Sequence, residues 1–330
     1  MKRPLLSVLD FAPILSGHTA GESLGQTVNL AIAAESMGYH RYWIAEHHNM
    51  GGLGSSAPEI LMAHVAGLTT KIKVGSGGMM LPNHSTLHVA EIFRTLETLF
   101  PGRIDLGLGR APGAKSETAT LLRGPRELAV HAFPEEFDRL INWLNDQDHD
   151  SISAIPSQTA MPDVWVLGSS DFGAQFASDR GLPFSFAQHF SSLPPLAILR
   201  LYHETFRPSK WYQKPKAMIA CHIICAETDA EAQELALSTD LSSVLTGQSG
   251  KSHPLPSVEE ARAYPMTEKD WQDARSHSPR KFVGSPETIK KYLNPYLNSE
   301  LVDEVMILTM IHDQKKRIRS YELISGLSGL

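Results

Sequence analysis

The sequence is poor in the features that mark several large protein classes. Its 330 residues hold two cysteines, Cys221 and Cys225, in one β-type run. Four residues apart on a strand, they share a face but lie about 13 Å from each other, which excludes a disulfide between them. Small buried hydrophobes is the expected role. No apolar run is long enough to span a bilayer, so no membrane partner is expected. Basic side chains cluster once, at Lys315-Lys316-Arg317-Ile318-Arg319, and the net charge is −6, which argues against a nucleic-acid partner. That cluster is expected to solvate the last helix. Met1-Lys2-Arg3 with Leu5-Leu6 opens like a signal peptide, but Asp10 interrupts it, and a cytoplasmic chain is expected.

Nucleotide fingerprints are missing too. Gly75-Ser76-Gly77 and Gly107-Leu108-Gly109 each begin a dinucleotide motif, but Met80 and Pro112 stand where its last glycine belongs. Gly247 to Ser252 imitates a phosphate loop, with Leu245 in place of the first glycine. His84 and His88 are four apart, but no carboxylate stands between them in the zinc-protease pattern, and no metal site is expected. A helix-surface or dimer-contact role is expected for both.

What is present centres on residues 72–113. A β-type run at 72–74 leads through Gly75-Ser76-Gly77-Gly78 to a helical stripe of Val89, Ile92, Phe93, Leu96, Leu99 and Phe100, stopped by Pro101-Gly102. A second run, 104–109, delivers Arg110 at its end. Strand, helix, strand is the unit of a parallel sheet, whose ligands gather where strands finish. Gly77 and Gly78 lack β-carbons, so a flat ring can approach the main chain closely. Arg110 offers a fork of donors suited to phosphate. Together they suggest a phosphorylated planar cofactor.

The rhythm repeats along the chain. Strands are expected at 5–9, 42–45, 72–74, 104–109, 164–167, 184–187, 217–226 and 302–310, with helices between, which is the count of a (β/α)8 TIM barrel in one domain spanning 1–330. Residues 111–130 read as a long surface loop. The rhythm breaks over 229–282, between strand seven and the last βα unit, and an inserted lid is expected there. Ser285-Pro286-Glu287 restarts a helix. Glu46-His47-His48 follows the second strand. Active residues of barrels sit at such ends, which favours a functional His47, its tautomer fixed by the neighbouring carboxylate of Glu46. Gly168-Ser169-Ser170 follows the fifth strand, where Ser169 and Ser170 serve as helix caps and the helix start also attracts phosphate.

In this order, Leu9-Asp10-Phe11 with Pro13, Arg41-Tyr42-Trp43 into Glu46-His47-His48, Val74 to Gly78 with Leu81-Pro82, Gly102-Arg103 into Gly107-Leu108-Gly109-Arg110, and Gly284 to Glu287 resemble the bacterial luciferase-like family of flavin-dependent monooxygenases. The resemblance covers nearly the whole length. It implies reduced FMN across the barrel mouth, delivered by a separate NAD(P)H-flavin reductase, with O2 and a small organic substrate such as an aldehyde or ketone as the other reactants. Gly77-Gly78 matches the place of a non-proline cis peptide beneath the flavin. Arg110, Gly168, Ser169 and Ser170 match the phosphate positions, and His47 matches a histidine that assists proton transfer. A homodimer through the second and third helices, around 61–68 and 89–100, is implied as well. Gly109 stands where the luciferases proper carry a reactive cysteine, so light emission is not implied. The alternatives are a deazaflavin-dependent oxidoreductase of the same superfamily, or a flavin-binding protein without catalysis.

Overall fold

The computed structural model describes residues 4–111, 113–123, 131–147, 151–276 and 280–327. Eight parallel strands close on themselves in it: β1 (Leu5–Asp10), β2 (Arg41–Ile44), β3 (Lys73–Met80), β4 (Ile104–Gly109), β5 (Asp163–Gly168), β6 (Phe184–Ala187), β7 (Ala217–Cys225) and β9 (Glu304–Leu308). β9 pairs with both β7 and β1, which seals the ring. This is the (β/α)8 barrel expected from the strand count. A ninth strand, β8 (Lys281–Gly284), was not expected. It pairs with the far half of β7, from His222 to Cys225, past the point where β6 stops.

Strands buried on both faces read as continuous apolar runs, as Val164-Trp165-Val166-Leu167 does. The barrel interior is filled by Leu9, Trp43, Trp165, Met218, Met306 and Leu308, with Trp43 edge-on to Trp165 at 5.6 Å. The larger core lies between strands and helices, where α3 (Thr86–Leu99) turns Val89, Phe93 and Leu96 inward. The other helices of the first half are α1 (Ala20–Ser36), opened by a Thr19/Glu22 capping box, and α2 (Pro58–Leu68), opened by its proline.

Between β4 and β5 the expected loop is partly helical: α4 (Ser116–Arg123) and α5 (Phe133–Leu144) cover that side. Pro112 and residues 124–130 lie outside the described residues, as do Met1, Lys2 and Arg3. α6 (Asp171–Asp179) and α7 (Pro195–Thr205) follow β5 and β6. Residues 229–276, where the rhythm breaks, form α8 (Asp229–Ser249), α9 (Val258–Ala263) and α10 (Glu268–Ser276). α8 buries Ala232, Leu235, Ala236, Leu241 and Val244, so it packs as a barrel helix over the β7 side. α11 (Pro286–Leu297) and α12 (Gln314–Ser325) complete the ring.

Arg317 corrects the reading of the basic cluster. It is buried, and its Nη2 lies 2.7 Å from Asp10 at the end of β1, so it ties the last helix to the first strand instead of facing water. Cys221 and Cys225 are buried free thiols, as expected, and burial pushes the Cys225 thiol up to about 12.

Candidate active site

The ends of β3 to β6 surround a cavity of about 210 Å³, walled by Leu9, Trp43, Gly77, Met80, Arg110, Val166, Gly168, Ser169, Ser170, Phe172, His189 and Phe190, among others. Five of the sequence-derived candidates, Gly77, Arg110, Gly168, Ser169 and Ser170, line it. Arg110 emerges from β4 and lays its guanidinium over the Phe172 ring, 3.8 Å from the centroid. Phe172 belongs to the first turn of α6, so the cation stands above a helix N-terminus. No ion pair with Glu117, nor any other hydrogen bond or ion pair of Arg110, occurs among the described residues. Ser170 is the N-cap of α6, and its side chain makes no capping bond. Ser169 is exposed, and its carbonyl accepts from the Ser191 hydroxyl at 2.7 Å. A cation, two hydroxyls and a helix start form an arrangement that receives a phosphate dianion, although the Phe172 amide already donates to Asp171 Oδ1 at 2.9 Å.

The glycine pair divides its work. Gly77 lines the cavity, whereas Gly78 is buried behind it, and the peptide between them is cis. A β-carbon on Gly77 would lie 2.6 Å from Leu9 Cδ1, and one on Gly78 would lie 2.8 Å from the Gly107 carbonyl oxygen. Close passage of the β4 backbone therefore demands glycine at 78, whereas at 77 the obstacle is the Leu9 and Trp43 side chains of the barrel interior. Gly168 packs against Gly173, where an added β-carbon would come within 3.1 Å of Gly173 Cα, so β5 and α6 meet backbone to backbone.

Glu46 is fully buried and acts as a hub. Its Oε1 accepts from His48 Nε2 at 2.7 Å, His84 Nε2 at 2.9 Å and Asn83 Nδ2 at 2.9 Å, and its Oε2 accepts from the Met80 amide at 2.7 Å. Burial alone would raise its pKa, but the bonds from His48 and His84 bring it down to about 2. This corrects two expectations. The carboxylate engages His48 and His84, and does not fix the tautomer of His47; and His84 is a half-buried partner of Glu46, not a side chain lying free on a helix surface. The Glu46, His48 and His84 ligand atoms lie within 4.8 Å of one another, close enough to hold a metal ion, although as folded the carboxylate oxygens already take four donors.

His47 sits beside the cavity, edge-on to Phe11 at 4.8 Å, and Phe11 stacks on Phe190 at 6.1 Å. Its Nδ1 is buried with no hydrogen-bond partner. Burial lowers its pKa to about 4, against the opposing pull of Glu46, so the ring is neutral at pH 7. A second imidazole, His189, faces the cavity from the end of β6 and also leaves one nitrogen unpaired, its Nε2. His189 was not among the sequence-derived candidates. Its place directly after a barrel strand, in Gln188-His189, was the available signal.

The profile of the luciferase-like monooxygenase family matches residues 6–298. An uncharacterized Bacillus subtilis protein, YvbT, is 42% identical over 99% of the chain and 97% of its own length. A luciferase-like monooxygenase of Escherichia coli K12 is 40% identical over 96% and 95%. The N-acetyl-S-alkylcysteine monooxygenase of Bacillus subtilis is 31% identical over 97% of each. Among solved structures, apo-MsnO8 superposes with a TM-score of 0.89 at 34% identity, covering 98% of this chain and 97% of that one. The oxygenating constituent of 3,6-diketocamphane monooxygenase from Pseudomonas putida, in complex with FMN, shares the fold at 18% identity and a TM-score of 0.71, covering 98% and 97%. An F420-dependent secondary alcohol dehydrogenase shares it at 13% identity and 0.68, covering 98% of each chain.

Proposed function

Since the chain belongs to the luciferase-like monooxygenase family of flavin-dependent enzymes, we propose that it binds reduced FMN, delivered by a separate NAD(P)H-flavin reductase, and uses O2 to oxygenate a small organic substrate. The observation that carries this reading is Arg110, a cation without an ion-pair partner among the described residues, held by Phe172 above the start of α6. Arg110 with the Ser169 and Ser170 hydroxyls and the first amides of α6 would hold the FMN phosphate, and the cavity wall at Gly77 would receive the ring.

Bound reduced flavin would supply two of the four electrons that O2 takes up and the substrate the other two, so that one oxygen atom goes to the substrate and the other leaves as water. The side chains of this protein do the rest. Leu9, Trp43, Val166 and Phe172 keep bulk water from the reacting face. His47, neutral and unpaired at Nδ1, accepts and returns a proton at that atom. Glu46 is a positioning residue, because its carboxylate holds the Met80 amide and two imidazoles, and does not touch the cavity. For the substrate, the Bacillus subtilis relative adds a thioether to the aldehyde or ketone expected from the resemblance. A homodimer fits the apolar stripe that α2 and α3 leave exposed, with Ile60 at 67%, Leu68 at 51% and Leu99 at 61% of full exposure.

The test mixes the protein with photoreduced FMN under 18O2 and a panel of aldehydes, ketones and N-acetylated thioethers, followed by mass spectrometry. Substrate-dependent gain of one 18O supports the reading. No oxygenated product from any member, beside turnover with a deazaflavin, refutes it in favour of hydride transfer.

A further inference from the structure

We infer that His189 is a specificity residue whose Nε2 accepts a hydrogen bond from an N–H or O–H group of the bound molecule, so that the cavity favours a neutral donor over a carboxylate at that point. The inference rests on the cavity being the ligand site of the proposed function, and not on which molecule supplies the donor. His189 Nδ1 lies 3.0 Å from the carbonyl oxygen of Ala220 in β7. A carbonyl oxygen only accepts, so Nδ1 carries the ring hydrogen and Nε2 of the neutral ring presents a bare lone pair. Burial lowers the ring's pKa to about 4, which keeps it neutral at pH 7.

Nε2 is buried without a partner while its residue forms part of the cavity wall. A buried acceptor left unpaired is unfavourable, and a donor brought in by a ligand relieves that. A carboxylate in the same place would set lone pair against lone pair. The ring is also held in place, with the Phe190 ring 4.2 Å away and Phe11 at 6.1 Å. The wall also carries Leu9, Ala220 and Met306, whose side chains have no donor, and the Ser185 hydroxyl, which can donate or accept. In this mostly apolar wall, His189 Nε2 accepts and cannot donate, which selects a group such as an imide or amide N–H. Two molecules could bring it: the imide of a flavin ring or the amide of an N-acylated substrate.

Two ligand pairs differing by one methyl group separate these sources. The first is FMN against 3-methyl-FMN, the second N-acetyl-S-methylcysteine against its N-methylated amide, each titrated calorimetrically into the wild-type protein and into His189→Phe. A neutral hydrogen bond corresponds to a preference of roughly two- to twelve-fold for the donor-bearing member. Wild type should show it for one pair, the flavin pair if the imide is the donor or the cysteine pair if the amide is, and His189→Phe should lose it. Independently of any variant, 15N spectra of histidine-labelled protein should show Nε2 of His189 as the bare, pyridine-like nitrogen. Equal affinities within both pairs in wild type, a preference that survives His189→Phe, or a protonated Nε2 would overturn the inference. Absence of binding by either flavin instead refutes the cofactor reading, and the cysteine pair with the spectrum then decides His189.

Discussion

Arg41 shows how much of this barrel hangs on single charged groups. It opens β2 with no solvent exposure and joins two carboxylates from distant strands, Asp105 at 2.6 Å from Nη1 and Glu304 at 2.7 Å from Nε. Trp43 Nε1 adds a bond to Asp105 at 2.8 Å, and Lys73 approaches that carboxylate at 3.6 Å. Arg41, Lys73, Asp105 and Glu304 stand near the strand starts, the end of the barrel opposite the cavity, where they act on stability, while Trp43 reaches from them to the cavity wall. Arg41→Met leaves two buried carboxylates short of their partner, so urea denaturation should show a loss of about 3–5 kcal/mol; a change under about 1 kcal/mol would mean that the lysines nearby replace it. Protons act on the site side. Burial holds His47 and His189 at about 4, below the ordinary value of 6.5, and the bonds from His48 and His84 hold Glu46 at about 2, below 4.5. In each case the unfolded chain takes up its proton first, so stability is complete above about pH 6.5 and falls on acidification, first through the histidine window down to about 4 and then through that of Glu46. Denaturation midpoints at pH 7, 5.5 and 4.5 should fall in that order. His47→Gln should flatten the upper window by up to one proton, which is about 1.4 kcal/mol per pH unit.

The start of α6 is the element on which the anion site depends. It contributes the Ser170 hydroxyl at its N-cap, the dipole of its first turn and, through the Phe172 ring, the seat of Arg110. Arg110→Ala removes the charge from a surface group and should leave the fold intact, while FMN affinity, read by flavin fluorescence, drops on the order of ten- to a hundred-fold. Phe172→Ala should give a smaller loss, because the guanidinium keeps its charge but loses its support. These elements were legible in the sequence to different degrees. Arg110 and Ser170 could be found because strand ends carry barrel sites and the strands themselves are unbroken apolar runs. The α8 helix was read as part of a broken segment because its buried residues, Ala232, Leu235, Ala236 and Val244, are interleaved with Ser and Thr and form a weak stripe. β8 has only Phe282 and Val283 as strand signal, and it exists because β7 is longer than β6. Partners were less legible than positions. Glu46 was found, but adjacency in sequence pointed to His47, whereas the fold brings His84 to it from 38 residues away. Arg317 looked like one of a solvated run because nothing local shows that Asp10 waits 307 residues upstream.

At the scale of the whole molecule, closure of the barrel decides how copies can associate. The eight-stranded ring has no free strand edge, so strand-to-strand association is confined to the outer edge of the four-residue β8, and helical faces offer the larger surfaces. On α2, Ile60, His64 and Leu68 recur at intervals of four with Gly67 beside them, and all are exposed. On α3, His88, Thr95 and Leu99 are exposed on one side, with Ile92 half-buried among them, while Val89, Phe93 and Leu96 fill the core on the other. A helix that needs only one apolar stripe for its own core has no use for Ile60 at 67% exposure or Leu99 at 61% unless a second surface covers them. Light scattering should therefore give twice the chain mass of 36.3 kDa for the wild type. The double variant Ile60→Glu with Leu99→Glu should give the monomer mass, because like charges would face each other across a two-fold contact. Both helices bury their other faces against the barrel, so far-ultraviolet circular dichroism of the variant should match the wild type. A wild type that runs at the single-chain mass at all concentrations, or a double variant that remains dimeric, would show that these side chains face water and that the contact lies elsewhere.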